Sequence, residues 1–437
     1  MTHAGPCGAA AGGLPPNIDA RECGYDTGTS AGHKVAILLP NEWRGGMLRN
    51  ASALAALLSR TNWPCIGRLK VVVGLLKNGD YNWNEVGQQF AALDGSVSVR
   101  RMGWEAWPVT AIRTMFRTLP AFPAAITHCS VPRDYGHNFL DCDAWIIFGS
   151  SHEGFVVPAR PTAIYCADMI QRYVPQIFGA TGHEEHWRRQ IATHLGWRRA
   201  NCVFCTTPQT RTDAISYAGV RASRVLLAPT LVDPIAGSLR LLQTDKHDPY
   251  ILWITNASAH KNHQSAMEAL RLYYRELGGT LPVVVAGSET MLLAPGSGAQ
   301  LQSSRSVREA TDVLPHLRFV GEVTDATYLR LVSEAAVVWH NVVIDNGTFV
   351  AFDAARAGRH FVSSDYPQMR YLCERYGVAA RWHKAGEPAA AAAALFAAER
   401  AAADGQDPGH DLHRDSDNER CAAYGAVLLR LFGNDGA

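Results

Sequence analysis

"IDNGTFVAFDAARAG", residues 344–358, decides how the rest of this chain is read. It ends an apolar run, "AAVVWHNVVI" (335–344), and places Asp345 and Asp353 eight positions apart around the turn Asn346-Gly347-Thr348. A run that continuously apolar suits a strand buried on both faces of a parallel sheet. "TFVAFDAARAG" has helical spacing and stops at Gly358, as a helix does. The stretch is therefore strand, polar loop, helix. One meaning is structural: two loop and helix acids, with Thr348 capping the helix. The other is chemical: a helix N-terminus that receives a phosphate, with the acids holding a sugar. Gly347 then permits close backbone approach, and Thr348 adds a hydroxyl.

The same unit recurs along the chain. "KVAILLP" (34–40) is an apolar strand, followed by the loop "NEWRGG" and the helix "MLRNASALAALLSR". "LKVVVGLL", "AWIIFGSS", "TAIYCAD", "NCVFCTT" and "RVLLAPTLVD" continue as strands with helices between them, and the Pro- and charge-rich stretch 233–250 reads as a connector. A second series begins at "YILWITNAS" and runs through "PVVVAGS", "LRFVGEV", "AVVWHNVV" and "HFVSSD", again with helices between, Asp325 capping one of them. Two alternating series in 437 residues predict an α/β protein of two doubly wound, Rossmann-like domains facing across a cleft. Ligands bind such folds at the carboxyl ends of the strands. The expected division is a flexible tail over 1–32, a first domain over 33–235, a second over 246–413, and a helix over 414–437 that packs back on the first domain.

Bulk properties narrow the function. A net charge of +1 gives no whole-protein field for nucleic acid. No run reaches the ~20 apolar residues needed to span a bilayer, and the N-terminus lacks the pattern of a secretion signal. A cytoplasmic protein is expected, with peripheral contact to the inner membrane face left open. Of ten cysteines, only Cys202 and Cys205 are closely paired, inside a strand and without the second pair a zinc ribbon needs. No metal and no cofactor are expected.

Taken in order, these segments resemble the GT-B glycosyltransferases, specifically retaining family 4 (glycosyl transferases group 1). The likeness spans roughly 34–395 and is strongest over 251–370. It rests on "ILWITNASAHKNHQSAMEAL", "VVVAGS", "LRFVGEV", the Asp345…Asp353 pair and "HFVSSD". The resemblance implies a donor site of Gly46, Asn256, His260, Lys261, Asn346, Gly347, Thr348 and Asp353. Asp345 would take sugar hydroxyls, Asp353 the ribose hydroxyls, and Lys261 the charge of the departing diphosphate. In the first half, Asp168 matches a family acid in "CADMIQRYVP", and Asp345, Lys261 and Asp168 form the implied catalytic set. Ala167 stands where many relatives carry a histidine, and His152 is the candidate to replace it on the acceptor side. Aspartate also stands at both positions where the family usually has glutamate.

By that resemblance the chain moves a hexose, with retention, from a nucleotide sugar to a glycan or lipid-linked glycan of a bacterial surface polysaccharide or lipopolysaccharide. GDP-mannose is the first expectation for the donor and UDP-sugars the second. Two alternatives remain: a catalytically impaired relative that binds nucleotide or glycan, and a nucleotide-sugar epimerase of the same architecture.

Overall fold

The strands form two separate parallel layers. The computed structural model describes residues 32–42, 45–77, 79, 81, 83, 86–87, 90, 93, 95–115, 121–124, 126–133, 139–149, 155–175, 183–231, 248–346 and 348–433. The first domain holds β1 (Lys34–Leu38), β2 (Asn62–Trp63), β3 (Gly67–Arg68), β4 (Lys70–Leu76), β5 (Val97–Pro108), β6 (His128–Arg133), β7 (Ala144–Phe148), β8 (Thr162–Tyr165), β9 (Cys202–Cys205) and β10 (Val225–Leu227). The second holds β11 (Ile251–Ile254), β12 (Val283–Ala286), β13 (Leu317–Gly321), β14 (Val337–His340), β15 (His360–Asp365) and β16 (Arg381–Lys384). The first sheet runs β10-β9-β8-β7-β1-β4-β5-β6 and the second β13-β12-β11-β14-β15-β16, with β2 and β3 forming a small hairpin apart. Every pairing in the second sheet is parallel. In the first only β5–β6 is antiparallel.

The apolar runs form strands because both faces of each sheet are covered. In β1, Val35 and Ile37 enter one core, with the helices Gly46–Arg60 and Asp417–Phe432, while Ala36 and Leu38 enter the other. In β11, Leu252 faces the core shared with the helix Phe349–Arg356, and Ile251 and Trp253 face the helices His263–Arg275 and Pro388–Ala403. Each such Leu, Ile or Val stabilises by about 1.5–3 kcal/mol.

Three elements depart from the sequence reading. β5 contains Arg100, Arg101 and Gly103, so it lacks the continuous apolar signal of its neighbours. It lies near the sheet edge, where only one side of a strand needs to be apolar. β16, "RWHK", is an edge strand for the same reason. The helix Asp325–Glu334 is capped by Thr324, whose Oγ1 accepts the Thr327 N–H, and Asp325 lies in its first turn.

The last described helix lies on the first sheet. Ser416 and Glu419 make a reciprocal capping box, and the helix Asp417–Phe432 packs over β8, β9 and β10, with Tyr424 Oη donating to Pro229 O at 2.8 Å. Tyr376 Oη contacts both Asp415 Oδ2 (2.6 Å) and Thr230 O (3.2 Å), pinning the second domain to the strand exit of the first. Among the described residues, no helix is long and apolar enough to cross a membrane.

Both sheets have a point where the chain reverses its direction of travel across the strands. In the first it lies between β1 and β7, and in the second between β11 and β14. Loops leaving such neighbours diverge to opposite faces and open a crevice.

Candidate active site

At the crevice of the second sheet, the loop after β11 carries Asn256, His260 and Lys261, and the loop after β14 carries Asn341, Asp345 and Asn346. The two loops are stitched together by a backbone–backbone bond and a side-chain–backbone bond. Val343 N donates to His260 O at 2.7 Å, and Asn341 Nδ2 donates to Asn262 O at 3.1 Å. Asn262 sits at a φ of 53° to turn the chain into the helix His263–Arg275, a conformation asparagine tolerates better than most residues.

This stitching brings Lys261 Nζ to 2.5 Å from Asp345 Oδ2, with 12% and 14% of the two side chains exposed. Asp345 Oδ1 accepts the Asn346 N–H at 2.9 Å, and His340 Nε2 stands 3.8 Å from Oδ2. Burial alone would raise the Asp345 pKa, but Lys261 and the neighbouring imidazoles hold it well below the ordinary carboxylate range. The imidazoles go the other way. Burial, with Lys261 beside it, brings His260 down to about 3, and burial lowers His340. The site is thus an ionised carboxylate and an ammonium in a pocket of neutral imidazoles. His260 Nδ1 and His340 Nε2 are buried and have no hydrogen-bond partner among the described residues. Asn256 is used locally, its Oδ1 accepting from Ser258 N at 3.0 Å.

The helix Phe349–Arg356 starts where Thr348 Oγ1 accepts the Val350 N–H, which is the capping role. Gly46 begins the facing helix Gly46–Arg60, and a Cβ built on it would lie 3.3 Å from Phe349 Cδ2. The amino ends of two helices, one per domain, therefore abut. Gly45 provides no side-chain cap to the first of them.

Asp353 is 4% exposed and does not stand beside Asp345's partners. Its Oδ2 accepts from Tyr328 Oη at 2.8 Å and from Arg49 Nη1, in the other domain, at 3.0 Å. Arg49 Nη2 also reaches Asp325 Oδ1 at 3.5 Å, and its guanidinium lies 4.8 Å from the centre of the Tyr328 ring. The sequence reading missed Arg49 and Tyr328. A signal for Arg49 was present: it is the only charged residue of "GMLRNASALAALLSR" before the terminal Arg60.

On the first-domain side, Asp168 follows β8, half-buried, and its Oδ1 accepts the Ile170 N–H at 3.3 Å. Ile170 packs against the core of the second domain. Ala167 is buried in the first core. Gly347 and His152 lie outside the described residues. Among the described residues no three His, Cys, Asp or Glu side chains are grouped so as to hold a metal ion.

No family model matches the sequence, and no curated protein is similar enough in sequence to match it. Solved structures are similar over most of the chain. The Anabaena protein HepE, in complex with UDP-glucose, superposes with a TM-score of 0.54 at 15% identity, covering 91% of this chain and 95% of that one. WaaG, a glycosyltransferase involved in lipopolysaccharide biosynthesis, gives 0.53 at 12% identity over 92% and 96%. Sucrose-phosphate synthase of Thermosynechococcus elongatus gives 0.56 at 14% identity over 91% and 96%. The fold is GT-B: two Rossmann-like α/β domains.

Proposed function

We propose that the protein is a retaining glycosyltransferase that moves a hexose from a nucleoside diphosphate sugar to a glycan or lipid-linked glycan. The observation that carries this reading is the Lys261–Asp345 pair at the crevice of the second sheet, next to two abutting helix amino ends. Lysine, uncapped N–H groups and a helix dipole are what a diphosphate requires. When donor binds, the diphosphate competes with Asp345 for Lys261. The freed carboxylate turns to the sugar hydroxyls, and its charge favours the positive character that develops at the anomeric carbon as the leaving group departs. Lys261 neutralises that leaving group. Asp168 and His152 would serve the acceptor side.

The UDP-glucose complex of HepE supports trying uridine donors alongside GDP-mannose. The likeness to WaaG supports a surface-polysaccharide or lipopolysaccharide acceptor. A cytoplasmic enzyme with peripheral membrane contact fits such an acceptor.

The test is a calorimetric panel of UDP, GDP, ADP and dTDP on the wild type and Lys261→Met, followed by donor turnover and the anomeric configuration of the product by NMR. One nucleotide should bind the wild type and lose about tenfold or more in the variant, since a hydrogen-bonded charge is worth ~1.5–3 kcal/mol. No binding by any nucleotide sinks the reading. Binding without turnover, with any acceptor tried, would favour a nucleotide-binding relative that has lost catalysis. That second reading draws on the buried Ala167 and the pre-engaged Asp353.

A further inference from the structure

The Arg49–Asp353 contact joins residues 304 positions apart, and no role is yet attached to it. We propose that Arg49 is a cross-cleft positioning residue, which together with Tyr328 fixes one oxygen of Asp353 so that the other is presented to the ribose of a nucleotide. The inference rests on the donor-site reading above and extends it to a residue of the opposite domain.

The geometry is directional. Both donors, Tyr328 Oη and Arg49 Nη1, converge on the same atom, Asp353 Oδ2. A carboxylate with one oxygen held by two donors cannot rotate without breaking both bonds, so Oδ1 is left with a fixed heading. Burial and the Asp353 charge push the Tyr328 phenol well above its ordinary pKa, so it remains a donor at any biological pH.

Arg49 is itself held. Only 14% of its side chain is exposed, its second nitrogen reaches Asp325, and the Tyr328 ring lies beneath its plane. A planar fork with two carboxylates and an aromatic face is a task lysine cannot duplicate. The contact also ties ribose recognition to the approach of the two domains, because Arg49 rides on the helix whose first residue, Gly46, abuts Phe349. A nucleotide that donates a hydroxyl to Oδ1 therefore meets a carboxylate ordered only when the cleft is closed.

The experiment measures discrimination rather than affinity alone. UDP and GDP are titrated against their 2′-deoxy and 3′-deoxy analogues on the wild type, Arg49→Met, Arg49→Lys, Tyr328→Phe and Asp325→Asn. The wild type should prefer the ribonucleotide by roughly 10- to 100-fold over at least one deoxy form, the worth of a hydrogen bond to a charged group. Arg49→Met should cut that ratio below about threefold while still binding the nucleotide through Lys261. Arg49→Lys should restore only part of it. Asp325→Asn should lower it less than Arg49→Met does, because Asp325 is exposed and holds only the far arm of the fork.

If Arg49→Met does not fold, Tyr328→Phe makes the same test, since it removes the other donor to the same oxygen. An unaltered ribose preference in Arg49→Met, or in Tyr328→Phe where that variant stands in, overturns the proposal and leaves the donor site standing. A wild type that binds nucleotide with no ribose preference overturns it too. A wild type that binds no nucleotide overturns the donor-site reading, and this proposal with it.

Discussion

Acidification should unfold the second domain well before its carboxylates titrate. Among the buried, neutral histidines there are His260, His263 and His383, with exposures of 8%, 2% and 3%. Burial is the main cause in each case, and it lowers them to about 3, about 4 and about 4. The reason they cannot charge is visible. Among the described residues, His260 Nδ1, His263 Nδ1 and His383 Nε2 have no hydrogen-bond partner, and an imidazolium must donate from both nitrogens. Their folded pKa values lie below the unfolded value of about 6.5. Their stabilising contribution is therefore complete above pH 6.5 and is lost as the pH falls toward 4. At pH 5.5 each unfolded imidazole carries about 0.9 proton and each folded one almost none. Three of them give a slope of about 4 kcal/mol per pH unit, and about 5 kcal/mol between pH 6.5 and 5.0. That is comparable to the whole stability of an ordinary domain, ~5–15 kcal/mol. Asp345, held low, does not contribute until the pH approaches the carboxylate range. Urea unfolding followed by the fluorescence of the buried Trp253 and Trp339, repeated from pH 7.5 to 4.5, measures the slope. His383→Phe should reduce it by about 1 kcal/mol per pH unit. A stability constant within about 1 kcal/mol from pH 6.5 to 5.0 would refute the reasoning, because the imidazoles would then have found partners or water when charged.

Other perturbations have equally definite outcomes. Lys261→Met and Asp345→Asn should each destabilise by about 3–5 kcal/mol, since each leaves a buried charge or polar group without its partner. The double variant should recover part of that loss in a double-mutant cycle by urea midpoint. Gly287→Ala, at a φ of +134° and with a built Cβ only 2.0 Å from Thr255 O, should displace the loop after β11 and abolish the nucleotide-dependent rise in melting temperature. Tyr376→Phe removes two contacts at the domain junction and should cost about 1–3 kcal/mol, with faster hydrogen exchange across 405–416.

Most of the fold was legible because its central strands advertise themselves. "VAIL" of β1, "AWIIF" and "VVVA" are buried on both faces, so every one of these positions is apolar. β5, next to the edge strand β6, and β16, at the edge of the second sheet, were not legible, because Arg100, Arg101, Arg381 and Lys384 interrupt the continuous apolar run that marks the central strands. The helix Pro367–Tyr376 escaped notice for a related reason: it carries three charged residues, Arg370, Glu374 and Arg375, among its ten positions, which thins the apolar stripe that marks a helix. The local part of the site was also legible. Lys261 and Asp345 lie just after β11 and β14, and a doubly wound order brings those loops together whatever their detailed sequence. His340 is found the same way, as the last residue of β14.

The partner of Asp353 could not be found by such reasoning. The spacing of eight between the two acids invites the idea that they act on one ligand side by side. In the protein a loop residue and a helix residue have turned to different neighbours, Asp345 to a lysine of its own domain and Asp353 to an arginine of the other. Periodicity and motif spacing report on contacts within one strand-loop-helix unit, whereas the Arg49–Asp353 contact depends on how one domain is set against another. That setting is determined by small surfaces, such as Gly46 against Phe349 and Tyr376 against Thr230, which carry no repeating pattern. Charge in the wrong place is the one trace such contacts leave. A lone arginine in the first turn of an apolar helix should be expected to have a buried carboxylate waiting for it, because leaving a guanidinium unpaired in a core costs more than the helix can return.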